Sequence, residues 1–169
     1  MKRTLFYLCF LLLTSTAFGQ TSTDSLQNFT QVIEVAGQTK SQIYGNILKW
    51  IAVNYKSAQD VVQLKDMESG NIVVKGIHSV PTAVLLGQVL SKDTRCILSF
   101  AIKDNKTKVT INYVATINPG YPDYPIVKSL THKMARKKDK RVLTKGLKDD
   151  SNLTFQSIST SLLVKDDDW

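Results

Sequence analysis

Histidine and cysteine are scarce in this chain of 169 residues, with two of each. Neither His78 nor His132 has a second His or a Cys at metal-ligand spacing, so no metal framework is legible. The sequence has no glycine-rich phosphate loop, no nucleophile elbow and no zincin helix. Its carboxylates are sparse before the last third. Glu34, Asp60, Asp66, Glu68, Asp93 and Asp104 fall mostly at turns or strand ends. These gaps argue against an enzyme, and no catalytic residue, cofactor or metal ligand is expected. No internal repeat is present. Hydrophobic residues at 43% and charged residues at 21% are ordinary globular usage, which excludes a disordered tail, a collagen-like repeat or a multi-span membrane protein.

Long apolar runs are also missing. The single candidate spans residues 4–13, about half of what a transmembrane helix requires. Lys2 and Arg3 precede it, and Ala17-Phe18-Gly19 places small residues before a cleavage point. Residues 1–19 therefore read as a secretory signal peptide, with Gln20 as the mature N-terminus. Cys9 lies inside the apolar run after Leu8, which is not the position of a lipidated cysteine, so a lipoprotein is not expected. The expected location is periplasmic or extracellular. After cleavage only Cys96 remains, and no disulfide can form within the chain. Stability must come from a hydrophobic core, which a domain of about 150 residues can supply.

Residues 20–28 are polar and without period, a flexible lead-in. A single domain is expected over 29–165, followed by an acidic tail at 166–169. Phe29, Gln31, Ile33 and Val35 alternate with Thr30, Val32 and Glu34, as in a strand. Thr39 and Gln42 have the spacing of a capping box, and Ile43, Tyr44, Ile47, Leu48, Trp50, Ile51 and Tyr55 share one helical face. Residues 61–66 and 71–77 form a hairpin around Gly70, with Val62 and Leu64 expected on the same face as Ile72 and Val74. Gly76 within the second strand signals a bulge or a close backbone approach. Thr82 to Leu90 is apolar without period, either an edge strand or a loop over the core. Residues 94–104 and 109–115 alternate cleanly into a long hairpin, with Cys96 facing the core as a structural thiol. Residues 153–164 read as a C-terminal helix capped by Asp149, Asp150 or Ser151, with Phe155, Ile158 and Leu162 inward. The expected fold is α+β, in the order β-α-β-β-β-β-α, an antiparallel sheet with two helices on one face in a helix-grip-like arrangement.

The formal charge of +8 is unevenly distributed. Residues 128–148 carry nine Lys and Arg against Asp139 alone, while the rest of the mature chain is slightly acidic. Lys133, Arg136, Lys137, Lys138, Lys140, Arg141 and Lys145 are the candidate contacts for an anionic partner. Candidate partners are an anionic lipid or polymer of the envelope, or another envelope protein. Nucleic acid is not expected, because the chain reads as exported and the segment lacks aromatic side chains for base stacking. Bland alternatives stand beside this reading. A like-charge block is often no more than a solvated surface, and Trp50, Tyr44, Phe100 and Tyr113 are core aromatics or, alternatively, the lining of a small-ligand cavity between helix and sheet.

The strand Val32-Ile33-Glu34-Val35 is followed by Gly37, the helix Ile43-Tyr44 … Lys49-Trp50-Ile51, and the hairpin Val61-Val62-Gln63-Leu64-Lys65-Asp66 … Gly70-Asn71-Ile72-Val73-Val74-Lys75-Gly76. This succession resembles an uncharacterised domain family of exported bacterial proteins with a TATA-binding-protein-like fold. The resemblance covers about residues 30–117. It implies a fold and no activity, so it assigns no functional residue, and it imports no DNA binding. Similar helix-on-sheet domains occur in envelope lipoproteins that dock on outer-membrane assembly machinery, an analogy of fold alone. The reading that results is an exported, non-enzymatic interaction module.

Overall fold

The computed structural model describes residues 26–163. The expected signal peptide, most of the lead-in and the acidic tail lie outside the described residues.

The chain forms β1 (Asn28–Glu34), α1 (Lys40–Asn54), a short turn of helix α2 (Ala58–Val61), then β2 (Val62–Asp66), β3 (Asn71–Leu85), β4 (Gln88–Lys103), β5 (Lys106–Thr116) and β6 (Tyr124–Pro125). Two helices close it, α3 (Ile126–Thr131) and α4 (Lys137–Leu163). The sheet is antiparallel in the order β1-β5-β4-β3-β2, with β6 pairing on β5 beyond β1.

Local chemistry accounts for the elements read from sequence. Thr39 caps α1, its side chain accepting from the Gln42 backbone N–H while Gln42 reaches back to Thr39, the reciprocal capping box. The β4–β5 turn is Asp104-Asn105, and Asn105 takes the left-handed conformation its short polar side chain tolerates. Gly70 sits at φ +74 beneath the Ile102 carbonyl, where no side chain would fit. Alternate residues Cys96, Leu98, Phe100 and Ile102 of β4 and Val109, Ile111 and Tyr113 of β5 are buried. They form one core with Ile43, Ile47, Trp50 and Ile51 of α1 and Leu147, Phe155, Ile158 and Leu162 of α4. Trp50 Nε1 donates to Ser157 Oγ at 2.9 Å, joining the two long helices.

Two expectations need correction, and two open alternatives resolve. The C-terminal helix does not begin near residue 150; α4 starts at Lys137, and Asp149, Asp150 and Ser151 lie inside it. The reason is a buried stripe that runs through the basic segment as Leu143, Gly146 and Leu147 and continues through Ser151 and Phe155. In β2, a bulge places Val62 opposite Val74 but Leu64 opposite Val73, so Leu64 faces solvent. One extra residue is enough to flip the side chains beyond it. Gly76 pairs in register with Cys96 and marks a close approach; a Cβ there would lie 2.9 Å from the Tyr55 hydroxyl. Residues 82–90 are strand and not loop cover, with their outer edges unpaired by the rest of the sheet. They are the far end of the β3–β4 hairpin, beyond a bulge at Pro81 and closed by Leu86-Gly87. A bulge is where a strand tolerates proline.

Candidate functional site

The residues expected to meet an anionic partner are held by α4 and the connection before it. The buried stripe of α4 fixes which way the helix is turned, and the lysines follow. At 100° per residue, Lys137, Lys138, Arg141, Lys145 and Lys148 fall on the side opposite Leu143, Gly146 and Leu147. All five are exposed. Their spacing of three and four residues makes one ridge about 16 Å long from Lys137 to Lys148. Lys148 belongs to this ridge although the candidate set from sequence omitted it.

The other candidates sit around the ridge. Lys133 is exposed in the connection between α3 and α4. Arg136 donates to Asp139 at 2.7 Å, one turn on. Lys145 pairs with Asp149 one turn further along the ridge. Lys140 is half-buried at the side of the helix and lines an open cleft of about 310 Å³ with Lys92, His132, Tyr124 and Thr116. The fold thus brings six of the seven together on or beside the first turns of α4, with Lys133 just before them.

Gly146 sets how closely this helix approaches the sheet. A Cβ at that position would stand 2.6 Å from the Pro81 carbonyl oxygen and 3.1 Å from Pro81 Cδ. Glycine therefore lets the helix backbone rest on the bulged strand. Nearer its start, Asp139 accepts from the Val84 backbone N–H at 3.5 Å. The two contacts lay the basic half of α4 along the outer part of β3.

A second constellation was not legible in sequence. His78 on β3 and Asp150 on α4 lie 72 residues apart and meet at 2.6 Å, Nδ1 to Oδ2. Tyr113 of β5 donates to the same carboxylate oxygen at 2.5 Å, and the Tyr55 hydroxyl lies 3.1 Å from His78 Nε2. Burial opposes the charge on His78, but hydrogen bonds to Asp150 and Cys96 outweigh it and raise His78 to about 10. Burial also pushes Tyr113 and Tyr55 well above the ordinary tyrosine range, with the Asp150 charge adding to it. An open cleft of about 280 Å³ lies beside the pair, bounded by Trp50, Asn54, Ile77 and Leu153. The geometry ties β3, β5 and α4 together through one carboxylate. Both ring nitrogens of His78 are occupied, Nδ1 by Asp150 and Nε2 by the Tyr55 hydroxyl. Among the described residues, no group of three or more His, Cys, Asp and Glu is placed to hold a metal ion.

The aromatic set pointed inward as core. Tyr44, Trp50, Phe100 and Tyr113 are all buried, Trp50 against Phe100 edge-on at 6.3 Å between centroids and Tyr113 against Phe29 at 5.9 Å. Among the described residues no helix is long and apolar enough to cross a membrane.

An antiparallel sheet carrying two long helices defines a class by shape. Residues 29–115 match the family described as a domain of unknown function (DUF4468) with TBP-like fold, and the chain belongs to that family. Two solved structures share the architecture. One is a TBP-like protein from Parabacteroides distasonis, at 14% identity and a TM-score of 0.63, covering 82% of this chain and 94% of that one. The other is a DUF4468 family protein from Bacteroides ovatus, also at 14% identity and a TM-score of 0.63, covering 86% of this chain and 92% of that one. At this identity the likeness is one of fold. No curated protein matches the chain. The family match ends at residue 115, so it does not include the basic helix.

Proposed function

We propose that this chain is an exported, non-catalytic interaction module that engages an anionic component of the cell envelope through the basic ridge of α4. The observation that carries the reading is the arrangement of Lys137, Lys138, Arg141, Lys145 and Lys148 on one solvent face of a helix whose opposite face is sealed in the core. A mobile basic tail would spread its charge over many conformations. A helix docked on a sheet holds the charges in fixed register, and their attraction for a polyanion adds at each site. The TBP-like shape contributes no nucleic-acid reading, because fold alone assigns no partner. A small-ligand role for the space between α1 and the sheet draws no support from the four aromatic side chains, which are all buried in the core, with Trp50 edge-on to Phe100.

Retention on a heparin column tests the reading, using the chain from Gln20 onward, which keeps every described residue. Wild-type protein is expected to elute only with added salt. Neutralising Lys137, Lys138, Arg141 and Lys145 to Gln is expected to bring elution to the void while leaving the fold intact by circular dichroism. Equal retention of both proteins overturns the reading.

A further inference from the structure

The turn closing β3 onto β4 breaks a rule of hairpin chemistry. Leu86 and Gly87 both have positive φ, 49° and 83°. Such two-residue turns favour Asn-Gly or Gly-Gly, because a bulky side chain is strained in the left-handed region. Leu86 accepts that strain and buries nothing in return: it is 96% exposed. Its neighbours are alike, with Leu85 53%, Val89 60% and Leu90 41% exposed. Leu85 pairs with Gln88 and Ala83 with Leu90, while Val84 pairs with Val89. Leu85 and Leu90 therefore project from one face of the ribbon, Val89 from the other, and Leu86 from the apex. A strand covering one groove needs one apolar face. A ribbon end with apolar side chains on both faces and at its apex, Gln88 being the one polar side chain from 83 to 90, matches a surrounding medium.

The cations stand at the base of this tip. Because α4 meets Pro81 at Gly146 and Val84 at Asp139, it runs toward the turn as it is followed back to its start. Arg136, Lys137, Lys138 and Lys140 thus lie beside the hairpin end, and Lys92 on β4 lies opposite Val80. The nearby acids are Asp139, engaged with Arg136 and the Val84 N–H, and Asp93 on β4. An apolar tip flanked by cations on its helix side is complementary to a bilayer with an anionic surface, hydrocarbon inside and negative headgroups beside it.

We infer that the β3–β4 hairpin end is a membrane-contact finger, inserting Leu85, Leu86, Val89 and Leu90 into an anionic bilayer while the start of α4 holds the headgroups. The inference rests on the anionic-partner reading and commits it to lipid. Insertion is shallow, because the outer edges of the two strands carry backbone groups that hydrocarbon cannot satisfy.

Sedimentation with vesicles of phosphatidylcholine and phosphatidylglycerol, three to one, tests it, again with the chain from Gln20 onward. Wild-type protein is expected in the pellet at low salt. Leu86→Asn with Val89→Thr is expected to lower partitioning at least about tenfold, from the lost burial of two aliphatic side chains, with unchanged heparin retention. Asn suits the turn better than Leu, so loss of fold does not confound this variant. Tip-variant binding equal to wild type overturns the finger and leaves the basic reading standing. Wild-type protein retained on heparin but absent from the vesicle pellet overturns it likewise and assigns the tip to a protein partner. Loss of heparin retention by wild-type protein removes both readings. As a direct readout, Val89→Trp is expected to shift its emission to the blue on adding vesicles, and an unshifted spectrum overturns insertion.

Discussion

The two halves of α4 bury the same kind of stripe and present different faces to water. From Lys137 to Lys148 the solvent side is Lys and Arg; beyond Asp149 the exposed residues are uncharged, among them Asn152, Leu153, Gln156, Thr160 and Leu163. The inner side changes in the opposite sense. The first half contributes Leu143, Gly146 and Leu147, while the second contributes Thr154, Phe155, Ile158 and Leu162. The halves join at Asp150, which is tied to both His78 and Tyr113. The second half anchors the helix and the first half displays charge. Packing constrains the inner side of a helix, so the outer side is free to carry a surface property.

That division can be broken at its joint, and the largest effect is expected there. Asp150→Ala leaves the His78 imidazolium and the Tyr113 hydroxyl without their carboxylate. It should cost about 3 kcal/mol, since removing one partner of a buried pair leaves an uncompensated charge; urea unfolding measures it. The same tie gives a pH dependence. His78 is raised from 6.5 to about 10, so the folded chain holds a proton that the unfolded chain releases between those values. The contribution is whole below about pH 6.5 and is lost as pH rises through about 10. The melting temperature should fall across that window, and His78→Gln should flatten the fall.

Next in size is Gly146→Ala. Helix propensity favours alanine by about 1 kcal/mol, but the added Cβ meets a backbone carbonyl at 2.6 Å. The clash wins where the neighbour is backbone, and a net loss of about 1 kcal/mol is expected by the same unfolding measurement. Gly45, where a Cβ would meet nothing within 4 Å, is the control, and Gly45→Ala should stabilise. The smallest change in stability belongs to the ridge. Lys145→Gln breaks only an exposed pair with Asp149 and should alter stability by less than about 0.5 kcal/mol. A larger loss would show that the charged half also holds the fold.

Much of this was legible along the chain where one local rule acted alone. The capping box at Thr39, the alternation through Cys96 and Phe100, and the glycine at position 70 each carry their own signal. The start of α4 was missed because its inner stripe passes through Gly146, Ser151 and Thr154, which do not read as core by type. Residues 82–90 fitted no template because a ribbon apolar on both faces has no alternation to detect. The slip in β2 depends on a single bulged residue. The His78–Asp150 tie has no local trace at all, since only the folded sheet and helix bring residues 72 positions apart together.

Cys96 lies fully buried at the centre of the sheet, on the inner side of that tie. Its sulfur would lie 3.2 Å from a Cβ placed on Gly76, close to the Tyr55 hydroxyl. Among the described residues it is the one thiol. It offers no handle to an alkylating reagent until β3 and β4 part, so the rate at which a maleimide labels it times the opening of the core. In an oxidising compartment the same burial lets the protein carry a reduced sulfur for as long as it stays folded, and makes each opening a chance of irreversible oxidation.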